Sequence, residues 1–308
     1  MRTLVVGAGS TGGYFGGRLA EAGRDVTFLV RPRRAAALRA NGLVIHSPHG
    51  DLRLDPKLVT ADELADDYDL VLFSVKAYGL TQAIADIAPA VGPDTMILPL
   101  LNGMRHMDLL VERYGERAVL GGVCMVAAEV VDDGSIRQLN GMQELIYGDR
   151  QDADSARIHD VDAAVRDAGF GTRLAGHVVQ EMWDKWVFLA SIGAVTCLMR
   201  GPIGEIVAVA GGVEFASGVA AECAAVASAS GQALGDVAWR RTVDTVTAVG
   251  SPMTSSMYRD LRAGRPVEAE HIVGDLVARA DRLGVEVPLL RLAYVNLSVY
   301  QNSLGNVV

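Results

Sequence analysis

The sequence predicts an α/β protein, a doubly wound and mostly parallel sheet over residues 1–176 followed by an all-helical domain over residues 177–308. Three observations carry this. Short β-rich runs alternate with helical spacing for much of the first part, and a glycine turn joins the first run to the first helix. From His177 on, strand-like runs largely vanish and Ala, Leu and Val at helical spacing take over. No repeat, low-complexity tract or long linker separates the two parts. Two firmly packed domains with a site between them are therefore expected.

Arg2 to Val6 reads as the first strand. Gly7-Ala8-Gly9-Ser10-Thr11-Gly12 follows at once, then an amphipathic stretch to Ala22 stopped by Gly23. Strand, glycine turn and helix in this order are the context in which G-x-G-x-x-G signals dinucleotide binding. Gly7 permits the turn and Gly9 lets the backbone approach a pyrophosphate. Gly12, with Gly16 one helical turn later, lets the helix lie close on the strand. The N–H groups at the helix start, around Ser10, Thr11 and Gly12, face the phosphates.

The second strand, Asp25 to Val30, decides which dinucleotide. An NAD site places an acid near its end, roughly twenty residues past the fingerprint. Here the run ends in Arg31-Pro32-Arg33-Arg34, and the next acid is Asp51. Guanidinium forks suit a ribose 2′-phosphate, so NADP(H) is the predicted cofactor.

Arg33 to Asn41 predicts a helix closed by Gly42, and Leu43 to Asp55 a hairpin about Pro48-His49-Gly50. Thr60 to Glu63 is a capping box that opens a short helix. Asp69 to Val75 is a strand delivering Lys76, Thr81 to Ala90 a helix, and Thr95 to Leu100 a strand delivering Asn102-Gly103. Ala118 to Gly148 is β-rich with a turn at Asp133-Gly134; a helix over Ala153 to Ala168 and a short strand near Thr172 follow. Ligands of such sheets sit beyond the carboxyl ends of the strands. That places the glycine turn, Arg31, Lys76 and Asn102 in one group.

Composition narrows the function classes. With 50% hydrophobic and 21% charged residues the chain reads as a soluble globular protein. A net charge of −9 argues against a nucleic-acid partner. Cys124, Cys197 and Cys223 have no metal-ligand spacing and read as buried, reduced thiols of a cytoplasmic protein. His46-x-x-His49 flanks Pro48 and reads as a turn, not a metal site. No secretory signal is expected, and the apolar tract from Ile206 to Ala233 is interrupted by Glu214 and Glu222, against a membrane span.

Three places in the second part carry candidate chemistry. Lys185 lies on an apolar helix running to about Met199, where Lys185, Leu189, Gly193 and Thr196 share a face. A lysine there either snorkels to water or serves a cleft. Thr254-Ser255-Ser256-Met257 opens another helix, as an N-cap or as a ligand site. Glu268 follows Pro266 as a first-turn glutamate or as a functional acid.

Together these residues resemble the ketopantoate reductase (2-dehydropantoate 2-reductase) family. The resemblance spans nearly the whole chain: Gly7–Gly12 continuing as Gly13-Tyr14-Phe15-Gly16, Val75-Lys76, Asn102-Gly103, Trp183-x-Lys185, Ser255-Ser256-Met257 and Gly264-Arg265-Pro266-x-Glu268. It implies a Rossmann-type domain, a helical domain, and NADPH-dependent reduction of a small 2-oxo acid, ketopantoate to pantoate in pantothenate biosynthesis. By the same resemblance Arg31 and Lys76 hold NADPH, and Asn102 meets the nicotinamide end and the substrate. Lys185 protonates the ketone oxygen; Ser256 and Glu268 bind the substrate's carboxylate and hydroxyl. A homodimer stays open as the assembly.

The chain departs from the family pattern where Leu189 and Gly193 replace two asparagines, and where Glu270 and Val273 replace an aspartate and an asparagine. A more apolar 2-oxo acid or ketone is the alternative substrate these changes raise. A non-catalytic NADP(H) sensor is the alternative from another class, and retention of Lys185 and Glu268 argues against it.

Overall fold

The structure, a computed structural model, describes residues 1–305. The chain divides into two compact units. One comprises Met1–Leu101 and His106–Val179; the other comprises Asn102–Arg105 and the chain from Gln180 on.

The first unit contains β1 (Arg2–Val6), α1 (Ser10–Glu21), β2 (Asp25–Leu29), α2 (Pro32–Asn41), β3 (Leu43–His46), β4 (Leu52–Leu54), β5 (Lys57–Val59) and β6 (Leu70–Phe73). It continues through α3 (Leu80–Asp86), β7 (Met96–Pro99), α4 (Arg105–Tyr114), β8 (Gly121–Val130), β9 (Ile136–Gly148), α5 (Ala156–Val165) and β10 (Gly171–Leu174). Five strands form an all-parallel sheet in the order β5-β2-β1-β6-β7. Its central strands β1 and β6 are apolar on both faces, as a sheet covered on both sides requires. The strand order reverses between β1 and β6, so the switch point lies beside the glycine turn that leaves β1.

A second sheet was not evident in the sequence. The β3–β4 hairpin and the long β8–β9 hairpin join into it, in the order β10-β9-β3-β4 with β8 paired to β9. Helix α1 lies between the two sheets, and its four paired glycines explain how. A Cβ on Gly16 would stand 2.7 Å from the Phe28 ring and 2.9 Å from Val5 of the first sheet. One on Gly13 would stand 2.4 Å from Ile136 and one on Gly17 2.8 Å from Ile45, both of the second sheet. Tyr14, Phe15 and Leu19 of the same helix are buried in the core this makes. The Tyr14 hydroxyl reaches Gln138 at 2.9 Å and also Gln143, both on β9.

One local expectation is corrected. The capping box at Thr60 forms, with Thr60 N–H donating to Glu63 at 2.9 Å, yet residues 61–63 make only a turn. The following Ala65-Asp66-Asp67 has no apolar periodicity to extend a helix.

The second unit is helical: α6 (Val178–Met199), α7 (Ile203–Val207), α8 (Gly212–Ala229), α9 (Asp236–Val246), α10 (Ser256–Arg262), α11 (Asp275–Leu283) and α12 (Pro288–Gly305). A π-turn, Glu270–Gly274, leads into α11. The Ala- and Gly-rich tract is α7 and α8, with Ala216, Val219, Ala220, Cys223 and Val226 forming a buried face. Glu222 on α8 accepts the N–H groups of Leu289 and Leu290, capping the positive end of α12. Among the described residues helix α6 is the one long and apolar enough to cross a membrane, and 67% of that stretch is buried, as in a core helix. Burial pushes the Cys197 thiol up to about 11 and the Cys223 thiol up to about 12, so both stay protonated and unreactive at neutral pH.

If the glycines of α1 are what let both sheets close on it, Gly13→Val and Gly17→Val should each cost about 1–3 kcal/mol by overpacking. Urea unfolding monitored by circular dichroism checks this. A midpoint equal to the parent's in both variants would show that the second sheet yields to the added methyls.

Candidate active site

At the carboxyl end of the first sheet, β1 runs into Gly7, whose φ of +93° and whose approach to the Ser74 carbonyl exclude a side chain. Gly12 stands against the Gly7 carbonyl in the same way. Gly9 differs: its backbone is extended at φ −87°, and a Cβ there would meet nothing within 4 Å. Space above Gly9, at the amino end of α1, is where a pyrophosphate approaches a turn of this kind. Ser10 and Thr11 open the helix at this end, each half-buried.

The three arginines after β2 do different things. Arg34 is half-buried and committed to the fold: Nε and Nη2 donate to the Ala8 carbonyl at 3.3 and 3.1 Å, and Nη1 to the Gly134 carbonyl at 3.0 Å. Burial pulls its pKa below the usual arginine value. It therefore braces the glycine turn against the β8–β9 hairpin and is withdrawn from the adenosine-end cluster. Arg31 and Arg33 are exposed. An Arg31 Nη lies 3.4 Å from the Cβ position of Gly79, in the turn that Lys76 opens after β6. Arg31 thus reaches across the switch point to the Lys76 turn, and Lys76 itself is exposed.

The remaining candidates belong to the second unit. Asn102 was expected with the sheet of the first part, at the end of β7, but Asn102–Arg105 group with the helices. The cause is a close approach at Gly103. With φ +81°, it lies so near the His271 carbonyl that a Cβ would stand 2.4 Å from that oxygen, and 3.7 Å from Trp186 Nε1. Trp186 Nε1 donates to the Ile272 carbonyl at 2.9 Å. Arg105 pairs with Glu270 at 2.6 Å, and the Tyr294 hydroxyl donates to the other Glu270 oxygen. Those bonds, the Tyr294 one foremost, hold the Glu270 carboxyl below its ordinary range. The Asn102-Gly103 turn, the Lys185 segment of α6 and the π-turn after Glu268 are therefore locked together through their neighbours.

Lys185 is half-buried and is flanked in sequence by Trp183 and Trp186, whose rings pack at 4.8 Å. Arg279 lies over both indoles, 5.7 and 5.5 Å from their centroids. These anchors fix the rotation of α6 and so which way the lysine leaves it. Along the same face Leu189 is half-buried, but Gly193 and Thr196 are buried. The space that Gly193 leaves is filled: a Cβ there would stand 2.5 Å from Met257 Cε. Thr196 is also committed. Its hydroxyl donates to the Ile192 carbonyl at 2.7 Å and lies 2.9 Å from Ser255 Oγ, which accepts the Tyr258 N–H at 2.9 Å. With one proton on each hydroxyl, the consistent chain runs from Tyr258 N–H through Ser255 to Thr196 and Ile192. Ser255 is therefore the N-cap of α10, and Ser256, the first residue of that helix, is left exposed. Val273, where the family pattern has an amide, is fully buried in the core.

Sequence reasoning missed Met257 as the filler of Gly193, Arg34 as a brace, and Arg105 and Trp186 as clamps. Only the glycine at 193 hinted at the first of these. Among the described residues no cluster of metal-ligating side chains occurs.

Two family descriptions match the chain: Ketopantoate reductase PanE/ApbA over residues 3–152, and Ketopantoate reductase PanE/ApbA C terminal over residues 177–301. An uncharacterized oxidoreductase, YkpB of Bacillus subtilis strain 168, is 35% identical over 98% of this chain and 99% of its own. The 2-dehydropantoate 2-reductase of Halobacterium salinarum is 30% identical over 94% of this chain and 96% of its own. The crystal structure of a PanE/ApbA family ketopantoate reductase from Ralstonia eutropha JMP134 superposes with a TM-score of 0.89. It is 27% identical over 99% of this chain and 100% of that one.

Arg34 and Arg31 should separate in experiment. Arg34→Ala loses charge-assisted bonds to two carbonyls and should cost about 1.5–3 kcal/mol of stability. Arg31→Ala should leave stability within about 0.5 kcal/mol, as for an ordinary surface change, while lowering the preference for NADPH over NADH. Denaturation together with fluorescence titration of both nucleotides tests the pair, and an unchanged NADPH preference in Arg31→Ala removes Arg31 from the cofactor site.

Proposed function

The chain belongs to the ketopantoate reductase PanE/ApbA family, and from that premise we propose that it reduces a 2-oxo acid with an apolar side chain to the 2-hydroxy acid. It is an oxidoreductase of the 2-dehydropantoate 2-reductase type acting on CH–OH groups, and its cofactor is NADP(H). The residues present suit that cofactor. Gly7 and Gly12 admit no side chain, Gly9 is open, and exposed Arg31 and Lys76 flank the switch point. NADPH supplies the hydride; the protein supplies orientation and charge.

Lys185 carries the chemistry in this reading. As the carbonyl carbon gains a C–H bond, the π pair moves onto oxygen. An ammonium aimed there stabilises that charge and then gives up its proton to form the hydroxyl. Asn102, held by the Gly103 contact, orients the carbonyl, and exposed Ser256 at the start of α10 receives the carboxylate. Glu268 accepts a hydrogen bond from a substrate hydroxyl where there is one.

The filled space at Gly193 supports the apolar substrate. Lys185 and Gly193 are eight residues apart on α6, or about 12 Å along its axis. Between them the face offers Leu189, and beyond it the Met257 thioether. Neither replaces the hydrogen bonds of the two lost asparagines. A buried polar group left without a partner costs about 1–3 kcal/mol, so a substrate hydroxyl beside Leu189 is disfavoured and an alkyl or aryl group is not. Ketopantoate, with turnover in cytoplasmic pantothenate biosynthesis, is the second reading, favoured by Glu268 and Ser256.

Two experiments decide. Lys185→Ala should lower kcat by roughly 10²–10⁴ with NADPH affinity little changed. Near-normal turnover would mean that the lysine only snorkels. Across a panel of 2-oxo acids followed by NADPH absorbance, those with bulkier apolar ends should exceed ketopantoate in kcat/KM. Leu189→Asn should narrow the gap by about tenfold, the value of one hydrogen bond. A parent kcat/KM for ketopantoate above about 10⁵ M⁻¹s⁻¹, within the ordinary enzyme range, would establish the second reading.

A further inference from the structure

Two successive carbonyls of the π-turn hold the neighbours of two candidate site residues. The His271 carbonyl meets Gly103, next to Asn102, and the Ile272 carbonyl accepts from Trp186, next to Lys185. All of these residues belong to the helical unit. The turn is thus a common anchor for the amide and the lysine that act on the carbonyl in the reading above. What fastens the turn itself is its first residue, Glu270. Its two carboxylate oxygens are taken by different segments: Arg105 Nη1 donates to one at 2.6 Å, and the Tyr294 hydroxyl of α12 to the other. The Tyr294 ring backs the last residue of the turn, Gly274, where a Cβ would stand 2.7 Å from Tyr294 Cε2. Both ends of the turn are therefore pinned on Tyr294, in a kind of irregularity that recurs at functional sites.

Position 270 is one of the places where the chain departs from the family pattern, with glutamate for aspartate. An aspartate is one methylene shorter. With the turn held on Gly103 and Trp186, it would not keep both Arg105 and Tyr294 where they stand. The longer acid reaches the residue three positions after Asn102. The segment from Asn102 to Arg105 is consequently tied to the turn twice, at Gly103 by the His271 carbonyl and at Arg105 by the carboxylate. The side chains of Arg105 and Glu270 are 43% and 56% exposed. Exposed ion pairs add little to stability, so this pair counts for placement more than for stability.

We propose that Glu270, acting through Arg105, is a positioning residue for Asn102, and that this clamp sets the amide against Lys185 for the chemical step. The proposal rests on Asn102 and Lys185 meeting the substrate, as proposed above. Because both partners reach solvent, the clamp loosens as salt screens the charges. Its loss falls on kcat, since the amide and the ammonium remain present and only their mutual placement relaxes.

Steady-state kinetics with NADPH and a 2-oxo acid that the parent reduces test it. Glu270→Gln keeps the volume and removes the charge. Its kcat should fall by about five- to fiftyfold, since a misplacement on the order of 1 Å costs up to about 10²-fold, while KM stays within about twofold. Glu270→Asp should lose kcat likewise, although it returns the residue of the family pattern. Arg105→Lys should keep most of the parent's kcat and Arg105→Met should not. Glu270→Gln combined with Arg105→Met should be no worse than either alone, as for two ends of one clamp. Raising KCl from about 0.1 to 1 M should bring the parent's kcat toward that of Glu270→Gln and leave the variant's unchanged. Parent-like kcat in Glu270→Gln and Arg105→Met overturns the proposal. So do additive losses, and so does a loss that follows the unfolding midpoint, the mark of a merely structural role. A second arm needs no turnover: exchange of the Trp186 indole N–H, bonded to the Ile272 carbonyl, is followed by NMR in the full-length protein. It should be at least about fivefold faster in Glu270→Gln, and a rate equal to the parent's overturns the clamp. If no 2-oxo acid is reduced, or Asn102→Ala turns over normally, the functional reading fails while the exchange rate still decides the clamp.

Discussion

The close approach of α1 to two sheets is the constraint on which the first unit depends. Pairs of glycines at positions 12 and 16, and at 13 and 17, put two bare stripes on adjacent faces of one helix. One stripe admits Val5 and Phe28, the other Ile136, Ile45 and Leu43. Glycine inside a helix costs roughly 1 kcal/mol relative to alanine, so four of them are tolerated only where contact on both sides returns more. The same approach sets the amino end of α1 against the carboxyl ends of β1 and β6. The nucleotide-binding turn is thus a consequence of how the core closes, and Arg34, tying Ala8 to Gly134, is the pin that joins turn to hairpin.

A second close approach governs the helical unit. Gly103 on the His271 carbonyl, Trp186 on the Ile272 carbonyl and Arg105 on Glu270 fasten three segments that are far apart in sequence. Each of these contacts uses backbone or a residue within three positions of a candidate site residue. Asn102, Lys185 and Glu268 are consequently held in place through nearby residues. This fastening explains why the turn at 102–105 groups with the helices although β7, three residues earlier, belongs to the sheet.

The sequence made the fold class and the cofactor end legible because both rest on local rules. A strand, a glycine turn and a helix within thirty residues say where phosphates go, and a missing acid after β2 says which dinucleotide. Side-chain commitments were less legible, because they depend on contacts across long sequence separations. Arg31, Arg33 and Arg34 are alike in sequence, yet a partner a hundred residues on withdraws Arg34. Ser255 and Ser256 are likewise indistinguishable until Thr196 selects Ser255 for the cap. The second sheet escaped notice because β3, β4 and β10 are only three or four residues long, and β3 and β10 join a sheet only through β9.

Gly193 shows how a site can change without leaving a hole. A glycine in place of an asparagine suggests an enlarged pocket, but the space belongs to Met257, a side chain flexible enough to fill it. The polar wall of the family pattern has become a pair, small residue on α6 and thioether on α10, that matches in volume and differs in chemistry. Thr196 and Ser255 close the wall below with a hydroxyl chain that has no proton left to offer a ligand. An asparagine returned to position 193 alone would meet Met257 before it met substrate. Leu189, half-buried and lying between Lys185 and that closed floor, is consequently the position on this face where polarity can change without repacking its neighbours. In the proposed reading, substrate preference is therefore set at Leu189 and Met257 together.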